Sequence, residues 1–104
     1  MGYIKHDSII VVGFDERVVK AHDRAIIQFK SLTSNLVEGG MNGYVSFFIG
    51  PDGSNEGWSS SEEFDKKRIK YKKFLDRLEL KWVHVAIGND YKQDTKIEGF
   101  GGVK

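Results

Sequence analysis

The spacing of apolar residues changes repeatedly along this chain, and those changes of period constrain the fold more than any single residue does. Residues 8–12 (Ser-Ile-Ile-Val-Val) are short and β-branched, which predicts a buried strand that Gly13 stops. Apolar residues then recur at Val18, Ala21, Ala25, Ile26, Phe29 and Leu32, the stripe of an amphipathic helix, with Asp15 as its cap. Leu36 and Val37 make a short strand candidate. Residues 38–43 hold three glycines and Asn42, a hairpin-type connection. Residues 44–49 form the clearest strand. Gly50-Pro51-Asp52-Gly53 reads as a turn, because proline presets one dihedral and glycine accepts a positive one. Ser59, Ser60 and Ser61 offer alternative caps to a second helix, and Glu62, Glu63 and Asp65 load its first turn. Its inward stripe is Phe64, Arg68, Tyr71, Phe74, Leu75 and Leu78, with the arginine stem lying along apolar surface. Residues 82–87 form a last strand, closed by Gly88-Asn89-Asp90.

The resulting order is β-α-β-β-α-β. A split βαβ unit of this length predicts an α+β, ferredoxin-like two-layer sandwich, one antiparallel sheet with two helices on one face. The competing arrangement is a looser α+β sheet in which Leu36 and Val37 form no strand. With 104 residues and 39% apolar content, one domain is expected over residues 1–90. Residues 91–104 are polar with glycines at 99, 101 and 102, and are expected as a flexible or partner-ordered C-terminal tail.

Sixteen Lys and Arg against fifteen Asp and Glu leave a net charge of +1, so bulk charge points to neither DNA nor a membrane. No cysteine is present, which excludes disulfides, a thiol nucleophile and cysteine-ligated zinc. No apolar run approaches the roughly 18 residues of a membrane span, and the N-terminus lacks a signal-peptide pattern, so a cytoplasmic location is expected.

Strand alternation divides the side chains into two sets. Ile9, Val11, Val45, Phe47, Ile49, Val83, Val85 and Ile87 suit a helix-covered face. The other set contains His6, Ser8, Ile10, Val12, Tyr44, Ser46, Phe48, Trp82, His84 and Ala86. That face is too apolar to remain wet. His6, Ile10, Val12, Phe48, Trp82 and His84 are therefore the candidate homo-oligomer interface, with a base-stacking platform as the alternative use.

The glycine loop before the second helix is the strongest local candidate for a ligand. Its backbone amides and the helix N-terminus suit an anion, although the acids of the first turn oppose one. No Gly-Lys-Ser/Thr follows, so it is not a Walker A loop. Residues 59–78 carry seven bases against four acids, a modest basic stripe that also fits a solvated helix face. Of an RNA-recognition signature only Gly43-Tyr44 fits. His6, His22 and His84 lack metal-ligand spacing, and no Gly-x-Ser-x-Gly exists for a serine hydrolase. Neither a catalytic set, a metal nor a cofactor is expected.

Several motifs stand in a recognisable sequence. His6-Asp7-Ser8-Ile9-Ile10-Val11 comes first. Asn42-Gly43-Tyr44-Val45-Ser46-Phe47 follows, then Pro51-Asp52-Gly53-Ser54 and Glu56-Gly57-Trp58, with Ser61, Asp65 and Arg68 beyond. Over most of residues 3–90 the chain resembles a family of small tailed-phage proteins carrying these features. Phe14 stands where that family often has Trp. The resemblance implies a phage origin, action in the host cytoplasm and oligomerisation. Small phage proteins of this kind include anti-defence sponges that bind cyclic-nucleotide alarm signals without cleaving them. The function expected on that analogy is non-enzymatic sequestration of a cyclic (di)nucleotide. Trp58 and Tyr44 would stack on bases, while Asn42, Ser54, Ser59, Ser61 and Arg68 would hold polar groups and phosphates. The alternatives are an oligomeric protein–protein inhibitor or accessory factor using the open sheet face, and a small RNA-binding module.

Overall fold

The computed structural model describes residues 5–54, 57–88 and 96–100. Strand β1 (Lys5–Gly13) leads into helix α1 (Glu16–Phe29) and a single 3-10 turn (Lys30–Leu32). Strands β2 (Val37–Glu38) and β3 (Val45–Ile49) follow, then helix α2 (Ser59–Arg77), β4 (Lys81–Gly88) and β5 (Lys96–Phe100). The five strands form one antiparallel sheet in the order β2-β3-β1-β4-β5. The α+β class, the two helices and the antiparallel sheet agree with the sequence reading. The edge strand β5 was not foreseen: residues 96–100 fall within the expected tail, yet they pair with β4 from Trp82↔Phe100 to Ala86↔Lys96. The rest of that tail lies outside the described residues.

Helix α1 starts as expected. The Asp15 carboxylate accepts from the Arg17 backbone N–H at 3.0 Å and from its guanidinium. Arg17 also donates to the Leu78 carbonyl oxygen at 2.9 Å, tying the start of α1 to the end of α2. Helix α2 departs from expectation at its cap. Trp58 holds the N-cap position without a side-chain cap bond, and the three serines lie inside the first turn. The helix ends without glycine. Glu79 takes a left-handed φ of 57°, and the Leu80 N–H closes back on the Leu75 carbonyl at 3.2 Å, a Schellman-type stop that aims the chain into β4.

The core lies between the helices and one sheet face. Val18, Ala21, Ala25 and Phe29 of α1 and Tyr71 and Leu75 of α2 bury against Ile9, Val11, Phe47, Ile49 and Trp82. The Tyr71 phenol sits inside this layer and donates to the Ala21 carbonyl at 2.5 Å. Burial pushes its pKa up, and the nearby Arg24 charge only partly offsets that.

The phase of β4 corrects the sequence reading. Register places Trp82 opposite Val11 and His84 opposite Ile9, so Trp82 and His84 share the helix-covered face with the core. Val83, Val85 and Ile87 take the open face instead. The reason is that α2 supplies polar partners underneath. The Trp82 indole N–H donates to the Asp76 carboxylate at 2.7 Å, and Lys72 lies 5.6 Å from the centre of its ring. Hydrophobicity alone favours the β-branched set for the inside, and it carries no information about partners contributed by a distant helix.

Candidate functional site

Two regions stand out, one beneath α2 and one on the bare side of the sheet. The first is built around Arg68, whose side chain is 3% exposed. Its guanidinium meets Asp52 at 2.5 Å, Asp65 at 3.0 Å and Asp7 at 3.7 Å. Asp65 is one helical turn back on α2, and Asp7 is the inward neighbour of Ile9 on β1. Asp52 arrives from the irregular segment between β3 and α2, where Gly53 adopts φ +80° and the Ser54 hydroxyl donates to the same carboxylate. Burial raises the Asp52 pKa, but hydrogen bonds from Ser54 and Arg68 and the Arg68 charge outweigh it, so the net shift is downward.

The network continues across the sheet. Lys72 Nζ lies 2.8 Å from His84 Nδ1, and an ammonium only donates, so Nδ1 is an acceptor. His84 Nε2 therefore carries the hydrogen and donates to Asp7 at 2.9 Å. Lys72 also donates to Glu98 on β5 at 2.5 Å. That hydrogen bond and the Lys72 charge hold the Glu98 carboxyl below its usual range. With His84 neutral, two cations face the four carboxylates of Asp7, Asp52, Asp65 and Glu98. The cluster is net acidic and internally paired, so it fastens α2 to β1 and β5 and does not attract an anion.

This placement changes the meaning of several candidate ligand residues. Arg68, expected to hold a phosphate, is instead sealed among the carboxylates of Asp7, Asp52 and Asp65. Ser54 and Ser61 are buried, and Ser54 is engaged with Asp52. Asn42, Tyr44, Trp58 and Ser59 are exposed. Tyr44 follows the open face, where its ring meets Phe14 edge-on at 5.5 Å, whereas Arg68 lies on the opposite, helix-covered side. The two do not line one site. His22, also considered for a metal, donates through Nε2 to the Ser34 carbonyl at 2.8 Å and meets Phe47 edge-on. Among the described residues no group of three His, Cys, Asp or Glu is placed to hold a metal ion.

The second region is the bare sheet face. Opposed residues put Phe48, Ile10 and Val83 in one row across β3, β1 and β4, and Ser8, Val85 and Ile97 in the next across β1, β4 and β5. Val12 extends the first strand's contribution toward Phe14 and Tyr44, and Ile87 lies opposite His6. Ile10 and Phe48 are 43% and 41% exposed although they sit on the central strands, where a sheet is usually covered. His6, Ile10, Val12 and Phe48 thus occupy the face foreseen for them. Trp82 and His84 are replaced there by Val83, Val85, Ile87 and Ile97. The face is more apolar than the sequence reading made it. At one end a small cleft of about 190 Å³ is lined by Val12, Phe14, Tyr44 and Leu80 and rimmed by Arg17, Glu79 and Lys81.

Among the described residues no helix is long and apolar enough to cross a membrane. The chain matches no family model, no curated protein and no solved structure.

Proposed function

We propose that this protein is a binding protein that works as an assembly of copies joined through the open sheet face, with a second copy of the chain as the occupant of that face. The observation that carries the proposal is the continuous apolar surface of Phe48, Ile10, Val83, Val85 and Ile97 on strands whose other side is already packed. The five strands hold two, five, nine, eight and five residues, so the sheet covers about 460 Å² in projection. With the flanking Phe14 and Tyr44 this places the face at the small end of the ~800 Å² per partner that standard interfaces bury. A twofold pairing uses one patch on both copies, and the oppositely charged Glu79 and Lys81 at its rim suit self-association.

The His84–Asp7 pair supports binding over catalysis. Both ring nitrogens are occupied, one by Lys72 and one by Asp7, which leaves no lone pair or proton aimed at a substrate. The nucleotide-sequestering function implied by the phage resemblance would have to manage without Arg68, so the accessory-factor reading, a phage-type protein acting through its sheet face, is the one the geometry favours.

Light scattering coupled to gel filtration tests this. The parent should elute at twice the chain mass at roughly 100 μM, and a Phe48→Glu, Ile10→Lys variant should elute as a monomer with a preserved cooperative melt. A monomeric parent would remove the proposal.

A further inference from the structure

A cleft of about 430 Å³ separates α1 from α2, lined by Arg24, Gln28, Lys70, Lys73, Phe74 and Arg77. It lies in the helical layer, across the sheet from the open face. Four of its six lining residues are cationic, and no carboxylate lines it. Among the described residues, none of Arg24, Lys70, Lys73 and Arg77 makes an ion pair. Five of the seven basic residues of α2 are thus divided by function. Arg68 and Lys72 are consumed by carboxylates on the sheet side, while Lys70, Lys73 and Arg77 are unopposed on the cleft side. Spaced i, i+3 and i+7, those three form a row about 10 Å long down one side of the helix.

Two further observations point to a ligand here. The Arg24 guanidinium is held 4.5 Å above the Phe74 ring, which positions it across the cleft from the row. Gln28 Oε1 is buried at the wall without a hydrogen-bond donor among the described residues. A buried acceptor with no donor is unfavourable and is satisfied when a bound group brings an N–H or O–H. Cations for more than one negative group, one acceptor needing a donor, and a volume within the range of small-molecule sites describe a compact ligand with several phosphates and a hydroxyl- or amine-bearing part.

We infer that the α1–α2 cleft binds the phosphates of a nucleotide, with Lys70, Lys73, Arg77 and Arg24 holding the phosphate oxygens and Gln28 accepting from the sugar or base. The inference does not depend on the association of copies through the sheet.

Isothermal titration of the full chain at low salt tests it with four probes: ATP, pyrophosphate, adenosine and a short single-stranded oligoribonucleotide. ATP should bind, adenosine should not, and pyrophosphate should bind more weakly than ATP. A Lys70→Glu, Lys73→Glu variant should lose at least about tenfold in ATP affinity, with its melting temperature checked separately. Gln28→Leu should weaken ATP while leaving pyrophosphate unchanged. If the oligoribonucleotide binds more tightly than ATP and is also lost in the double variant, the site stands with a nucleic-acid phosphate as its source. No ATP or oligoribonucleotide binding up to roughly millimolar concentration, or binding that survives the double variant, would overturn it.

Discussion

Replacing Arg68 by Ala tests whether the ionic cluster is a structural fastening. The guanidinium is buried against Asp52 and Asp7, whose side chains are each only 8% exposed. Removing it takes the Arg68 charge away from two desolvated carboxylates, a change that costs about 3–5 kcal/mol when a buried pair is broken from one side. The lower end applies, because Asp7 keeps the His84 N–H and Asp52 keeps the Ser54 hydroxyl. Asp65 adds little, being 41% exposed and able to rehydrate. About 3 kcal/mol in a chain of this size corresponds to a fall in Tm of more than about 10 °C. The pH dependence carries a sign. In the parent the Asp52 carboxyl is held below its ordinary value of 3.8, so its contribution is fully present above that value and is lost as pH falls through the lower, folded-state pKa. Without Arg68, its hydrogen bond and charge no longer lower the Asp52 pKa and only the Ser54 hydroxyl still opposes burial, so that pKa rises from its parent value and the variant's deficit should shrink toward acid as the carboxylates neutralise. Urea unfolding of both proteins at pH 7 and near pH 4 reads this directly. A deficit under about 1 kcal/mol at pH 7, or one that grows toward acid, would refute the reasoning.

Other substitutions separate structural from surface roles. Trp58→Ala should change stability by less than about 0.5 kcal/mol in the same urea experiment, because the indole is 55% exposed and makes no cap bond. Gly13→Ala should destabilise by about 1–3 kcal/mol, since a Cβ there would lie 2.8 Å from Leu80 Cδ2 and 3.1 Å from Val18 Cβ, both in buried side chains; thermal melting checks it. Tyr71→Phe should cost about 0.5–1.5 kcal/mol for the lost bond to the Ala21 carbonyl while keeping the ring packing, and urea unfolding against the parent measures it.

Local pattern carried most of the fold. The 3.6-residue stripe of α1 and the alternation of β3 each depend on residues close in sequence, and each appears where the chain's own chemistry puts it, whereas the turn expected at Gly50-Pro51-Asp52-Gly53 does not form: the segment is irregular and the Gly50 N–H donates to the Leu32 carbonyl. The inward position of Asp7 was also legible, because it shares the parity of Ile9 and Val11. Its partners were not, for Arg68 and His84 reach it only after α2 and β4 have been arranged in space, as Asp52 reaches Arg68 only once its loop is in place. The same limit governed β4. Its two alternating sets are both mainly apolar, so period alone left the inside undecided, and the choice fell to Asp76 and Lys72 on α2, which give Trp82 and His84 their hydrogen bonds and charge contacts. Strand β5 follows the same logic: a polar, glycine-bearing segment with no strong strand pattern of its own is recruited by the free edge of β4 and by the Lys72–Glu98 pair. Elements whose energetics are local could be read from the order of residues. The ionic cluster, the phase of the last core strand and the edge strand rest on contacts between distant segments, and those exist only once the tertiary structure has formed.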